Sequence, residues 1–387
     1  MREIWVNIRG IDPLLFRDGR PFTNEEGALH ARSLPLPLPG TIAGFLRSQM
    51  GERLGWDWNN QGPAMARAVP VAGPIPMIGD PVAIPACPAR AGGRGADRVS
   101  VAIPAPADAV VCKREGEESP SIMPLRPVSL ESGAGCDLPN GLLPLNVTGD
   151  VKPESGYQFW KADVLRQWLE NATGEGAAVP EKIGGLETEE RVHVGIRPET
   201  STSDEGMLFT VEYRSFGERP TWSLLARIRP ESDVVLRGVA CLGGERRLTV
   251  VESPPDGDWA RGLEPLRNAL DGAKRVRMVL ATPGLFDGGW KPGWLGDGLR
   301  GSPPGRPDVS LRLVSAAVPR RQPVSGWDYE KGGPKAVRWM APAGSVYFLE
   351  VASGNAADLA DGLWLEPVSD REQDRRDGYG LALWGLW

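Results

Sequence analysis

Residues 11–51, IDPLLFRDGRPFTNEEGALHARSLPLPLPGTIAGFLRSQMG, constrain this chain more than any other stretch, because three folding signals follow one another there. Ile4, Val6 and Ile8 alternate ahead of it, the period of a half-buried strand. A charged turn follows, Arg17-Asp18-Gly19-Arg20-Pro21, and then a proline-rich approach over 35–39. From about Gly40-Thr41 the apolar positions Ile42, Phe45, Leu46, Met50 and Leu54 take the spacing of one buried helix face. Thr41 is the expected N-cap, and Gly40 and Gly44 leave the first turn without bulk. Two readings stay open. A strand, a basic turn and a bare helix N-terminus can accept a phosphate; the same pattern also describes a plain β-α crossover with solvated charges.

Such a unit uses a small part of 387 residues, a length that accommodates two domains. Gly (49) and Pro (37) together make about 22% of the chain, below the roughly 25–30% that signals disorder, so many turns and long ordered loops are expected. The net charge is −6. A free-standing nucleic-acid binder is more often basic, so any nucleic acid should be held in a local groove completed by partner subunits. Cys87, Cys112, Cys136 and Cys241 form no Cys-x-x-Cys pair, and there are only 2 His, so neither a metal nor a cofactor is expected. The opening MREIWVNIRG lacks the apolar core of a signal peptide, and no run approaches ~18 apolar residues. A cytoplasmic protein away from membranes, with reduced thiols, is the expectation.

Further elements follow in order. Residues 56–150 read as irregular, with recurrent Pro and Gly and a loop at 91–98. A second helix is expected over 157–169 and a third over 259–270. The alternating segment 189–196 and the run 207–213 should pair as strands, with His193 facing opposite to Val192 and Val194. Strands are also expected over 222–228, 234–239, 275–281, 311–318 and 345–351. Between two of them, Cys241-Leu242-Gly243-Gly244-Glu245-Arg246-Arg247 joins glycines that admit a close backbone to guanidinium groups that fork onto phosphate. A hairpin or bulge with solvated charge fits the same residues. The whole is an α+β chain, its two sets of strands compatible with two ferredoxin-like (RRM-like) layers, 1–185 and 186–387, with a Pro/Gly-rich insertion at about 56–150.

Signatures of nucleotide-binding and metalloprotease sites are missing: there is no P-loop, no Rossmann glycine spacing and no His-Glu-x-x-His. His30, near the first helix and beside arginines, is the one residue suited to acid-base cleavage of RNA, and an exposed loop histidine is the plainer reading of it.

Seven segments in one order resemble a known family: DPLLFRDGRPF (12–22), PGTIAGFLR (39–47), LGGERR (242–247), TPGLFDGGWKPGW (282–294), SGWD with PK (325–328, 334–335), PAGSVYF (342–348) and GYGLALWG (378–385). They are similar to the third subunit of the Cmr complex, the type III-B CRISPR effector, in the RAMP superfamily. Pro39-Gly40-Thr41 departs from the expected Pro-Ser-Thr by one hydroxyl. The resemblance implies two RRM-like domains and a non-catalytic RNA-binding subunit that holds the 5′ tag of the CRISPR RNA. It implies contact with the large polymerase-like subunit and the first backbone subunit, and only indirect contact with target RNA. Carried over by position, Arg17, Asp18 and Arg20 would form a basic turn and Gly40, Thr41 and Arg47 the helix start. Gly243, Gly244, Arg246 and Arg247 would form the glycine-arginine loop, and Trp290, Lys291, Trp327, Lys335 and Arg338 would be contacts in the second half. The runner-up is a metal-independent CRISPR RNA-processing endoribonuclease of the same superfamily using His30.

Overall fold

A computed structural model describes residues 2–19, 29–79, 99–113, 119–139, 141–149, 151–174, 176–217, 221–255, 259–328 and 332–387. The chain mixes helix (16%) and strand (38%) over several sheets, the expected α+β class in its broad sense. Arg20 and the expected loop at 91–98 lie outside the described residues.

Two sheets carry most of the core. The first has seven strands in the order Phe159–Lys161, Val99–Pro104, Val71–Gly79, Thr221–Ile228, Ile4–Gly10, Leu248–Glu252, Gly238–Cys241. The second has six: Arg300–Gly301, Ser310–Ala317, Val346–Ser353, Arg275–Leu280, Leu381–Leu386, Glu366–Pro367. Every neighbouring pair in both is antiparallel. A boundary at 185/186 cuts the first sheet, which draws strands from both sides of it.

The first sheet is buried on both faces, which explains strands that read as continuous apolar runs. Val6, Ile8, Leu224 and Ala226 pack beneath Ile42, Phe45, Leu46 and Met50 of the Pro39–Leu54 helix. Ile75, Met77, Ile103 and Leu225 face the other way, onto Leu165 and Trp168 of the Ala162–Glu170 helix and onto the second sheet.

Five expectations change, the first being the strand expected over 234–239, which runs Gly238–Cys241 instead. Residues 56–150 are not merely irregular, for they supply two inner strands, Val71–Gly79 and Val99–Pro104. Pro74 and Pro76 are tolerated in the first of these because the neighbouring Val99–Pro104 strand pairs only from Met77 onward, and a bulge lies opposite Gly73-Pro74. The second helix begins at Ala162, because Phe159–Lys161 pairs into the sheet instead. The third is one turn, Arg267–Leu270: Pro265 cannot donate a helical hydrogen bond, and Gly262 adopts φ +86°. The first helix starts at Pro39, with Leu38 as a cap that lends no side-chain bond, so Thr41 is inside it.

Candidate nucleic-acid interface

A third sheet stands apart from the two layers. Glu187–Ile196 and Ser203–Ser215 form a long antiparallel hairpin, and His30–Ala31 runs parallel to its second strand. The strands expected at 189–196 and 207–213 are the middle of this hairpin. Leu15, Ala31, Val211 and Tyr213 bury together at its base, with Phe209 against them. This small apolar knot fixes the turn after the leading strand to the hairpin. Phe16 N–H donates to Ser33 Oγ (3.0 Å), Leu34 N–H to Phe16 O (2.7 Å) and Asp18 N–H to Arg32 O (3.1 Å). Arg214 reaches back to Ser33 O (2.8 Å) and Leu34 O (3.1 Å).

The glycine-arginine loop closes on the same place. Gly244 N–H donates to Leu15 O at 2.8 Å, and Gly243 adopts φ +78°. A Cβ on Gly243 would stand 2.4 Å from Leu15 O, which is backbone and cannot yield cheaply. Glycine is therefore required here by a close backbone approach within the chain itself. Gly243→Ala is expected to lower the unfolding free energy by about 1–3 kcal/mol and to detach the loop, read by denaturant titration and by protease sensitivity at 242–247. Unchanged stability and protection would contradict it.

The loop's charges sit on aromatic supports. The Arg247 guanidinium lies 4.4 Å over the Tyr213 ring, and Arg191 lies 5.2 Å from it. Tyr213 donates its hydroxyl to Glu245 Oε2 (2.6 Å), and Arg247 bonds the same oxygen at 3.1 Å. Burial pushes the Tyr213 phenol above its ordinary value, and the bond to Glu245 pushes it further. Burial works to depress the Arg247 guanidinium, but Tyr213 and Glu245 leave it raised on balance, so it stays a cation. His193 stacks on Phe209 (5.4 Å, 10°) and faces away from the exposed Val192 and Val194. Arg246 is exposed, with φ +52° and no side-chain hydrogen bond or ion pair to another described residue. Arg247 Nε and His30 Nε2 are buried atoms without a hydrogen-bond partner among the described residues. Two expected clusters, Arg17-Asp18 and Gly243–Arg247, are thus brought to one arginine-rich, aromatic-backed surface, on which Arg191 pairs with Glu189, Arg214 with Glu212 and Arg247 with Glu245. Arg32, Arg191 and Arg214 join it unforeseen; for Arg191 the alternation that placed His193 was signal enough.

Other expected residues sit elsewhere. Arg47 is buried, giving Nε and Nη2 to Val69 O (3.0 and 2.8 Å), Nη2 to Arg376 O (2.9 Å) and Nη1 to Asp377 Oδ1 (2.5 Å). Gly40 N–H meets the Tyr379 hydroxyl, whose phenol burial raises well above its usual range, and Thr41 N–H bonds Leu38 O at 2.9 Å. The helix start is therefore not bare: the closing GYG segment covers it. Arg338 grips Asp374 with two 2.7 Å bonds. Lys291 Nζ bonds Leu295 O (2.9 Å), and Trp290 is half-buried against the larger core. Trp327 pairs by backbone with Pro334, and Lys335 is exposed. Arg47 and Gly40 thus tie the first helix to the 376–379 segment, and Arg338 ties two segments beside the second sheet.

The sequence match decides the family: the one described as CRISPR-associated protein (Cas_Cmr3) matches residues 6–387. The chain belongs to the Cas_Cmr3 family. The resemblance carried by the seven segments is borne out over nearly the whole length. No curated protein matches it. Among solved structures, a chain of the type III-B Cmr-beta complex bound to cognate target RNA and AMPPnP, state 1, is 15% identical, with 89% of this chain and 86% of that one covered and a TM-score of 0.45. A chain of the same complex bound to cognate target RNA gives 14%, 89%, 86% and 0.45, and one from the apo state gives 12%, 66%, 98% and 0.27.

Proposed function

We propose that this Cas_Cmr3 chain is a non-catalytic RNA-binding subunit of a type III-B CRISPR RNA-guided effector complex. It holds the 5′ tag of the CRISPR RNA and bridges the large polymerase-like subunit to the backbone subunit, in the cytoplasm. Family membership supports the kind of assembly. One observation carries the RNA-holding part: the Arg17 turn, the Gly243–Arg247 loop and the hairpin meet on one surface, where guanidinium groups lie beside aromatic rings. A fixed single-stranded tag can be held by stacking splayed bases and neutralising phosphates, and neither step needs a titrating group.

The proposal extends to the fold, in which the two sheets make two ferredoxin-like units. In the first, Ile4–Gly10, Val71–Gly79, Thr221–Ile228 and Leu248–Glu252, numbered along the chain, lie side by side in the order 2-3-1-4. In the second, Arg275–Leu280, Ser310–Ala317, Val346–Ser353 and Leu381–Leu386 repeat that order. An antiparallel β-α-β-β-α-β layer has this arrangement. The first keeps the helix between its strands 1 and 2, and the second keeps one, Ala357–Leu363, between strands 3 and 4. The glycine-arginine loop stands where the first unit's second helix would be.

The test is purification of the complex from cells through this subunit, with sequencing of bound RNA and identification of bound proteins. CRISPR RNA bearing its tag, with the large and backbone subunits, is expected; an isolated chain free of RNA overturns the reading. The same preparation separates the endoribonuclease alternative. His30 Nε2 stands 4.0 Å from Glu212 Oε2, beyond hydrogen-bond reach. Incubation with precursor RNA is expected to give no product that His30→Ala abolishes, and a His30-dependent product would sink the non-catalytic assignment.

A further inference from the structure

The strands Gln322–Val324 and Arg338–Met340 pair antiparallel in a two-stranded sheet of their own, with Gln322, Pro323 and Trp339 exposed. Strand alternation decides what it displays. Arg338 turns inward to its two bonds with Asp374, and Met340 is 1% exposed beside Leu285 and Tyr379. Trp339, between them, must turn outward and is 42% exposed, with Val337 at 61%. The Arg321 guanidinium lies 4.2 Å over the Trp339 ring. Pro323 pairs with Trp339 in register, and Arg320, Arg321, Pro323 and Lys335 of the same two segments are exposed. Neither 318–324 (VPRRQPV) nor 332–340 (GGPKAVRWM) contains a carboxylate, in a chain whose net charge is −6. The ring is thus open to solvent, with one guanidinium stacked on it and further cations in the same two segments.

We infer that Trp339 and Arg321 form a stacking platform for a base of single-stranded RNA, with Arg320 and Lys335 set to hold its flanking phosphates. The chemistry selects this occupant. A π-face beside guanidinium planes suits an unpaired base, and a duplex keeps its base faces covered. This rests on the reading that the chain carries RNA, and it adds a second contact point to the glycine-arginine loop.

The test uses the effector complex purified with its own RNA, carrying photoreactive p-benzoylphenylalanine in place of Val337 or, separately, in place of Arg246. Irradiation is expected to attach RNA at position 337. Trp339→Ala should reduce that adduct at least about fivefold, the low end of the stacking contribution of one base, while Trp339→Phe should keep most of it. RNA attached at 246 but not at 337 would overturn the platform and leave the proposed function standing. Attachment of a protein subunit at 337 would overturn it in favour of a docking surface. RNA at neither position would overturn both.

Discussion

Asp108→Ala is expected to lower the unfolding free energy by about 3–5 kcal/mol, because it strands a buried cation. Arg277 comes from the central region of the second sheet and is 3% exposed; Asp108, from a loop beside the first sheet, is 0% exposed. Arg277 Nη1 donates to Asp108 Oδ2 at 2.6 Å, and Trp168 Nε1 donates to Asp108 Oδ1 at 3.0 Å. The other arm of the guanidinium bonds Trp168 O and Asn171 O, and its plane lies 4.8 Å over the Trp168 ring. Burial drives the guanidinium below its ordinary value, and Asp108 opposes that. One pair therefore binds the second sheet, the Ala162–Glu170 helix and the Asp108 loop. Arg277→Met should cost a similar amount. The double variant Asp108→Ala/Arg277→Met should recover a large part of the loss, since neither charge is then left alone. Denaturant titration of all four proteins measures the cycle. Additive losses in the double variant would mean that packing, not charge pairing, is what the singles remove.

Arg246→Gln combined with Arg247→Gln is expected to weaken RNA retention about a hundredfold or more. A hydrogen bond to a charged group contributes roughly 1.5–3 kcal/mol, and two are removed. The slope of log affinity against log salt should flatten by roughly 0.7 for each lost phosphate contact, the single-strand value. Arg17→Ala, at the turn that Asp18 and Ser33 fasten to the same surface, should flatten it further. Arg338→Gln serves as the contrast. Its guanidinium is committed to Asp374, so it should reduce stability and leave the salt slope alone. If the Arg246/Arg247 variant keeps wild-type retention and slope while Arg338→Gln flattens it, the RNA lies on the second sheet's side instead.

Much of this arrangement is legible in the amino-acid sequence. The leading strand, the Pro39–Leu54 helix and the hairpin strands follow from periods of 2 and 3.6; Val6 and Ile8 still share the helix side although the strand is covered on both faces, and the helix and hairpin each keep one apolar set together. Val71–Gly79 was not legible as an inner strand. Its prolines argue against that position, and only the short reach of the neighbouring strand and the bulge remove the objection. The site divides in the same way. Gly243 and Gly244 were identifiable as a point of close backbone approach, but the approaching backbone is Leu15 of this chain. Arg47 reads as one of several basic residues near a helix start. Its commitment to Val69, Arg376 and Asp377 depends on partners up to 330 positions away, beyond any local pattern. Trp339 was passed over because alternation in a three-residue strand is too short to read without its partner.

The most direct measurement is photo-crosslinking of the assembled complex, purified through this subunit with 4-thiouridine in its RNA, followed by mapping of both the nucleotide and the peptide. Adducts concentrated in the 5′ tag, on peptides that include Arg17 and 242–247, are the predicted result. Adducts spread along the spacer, with those peptides unmarked, would contradict it and make the chain a backbone-type subunit.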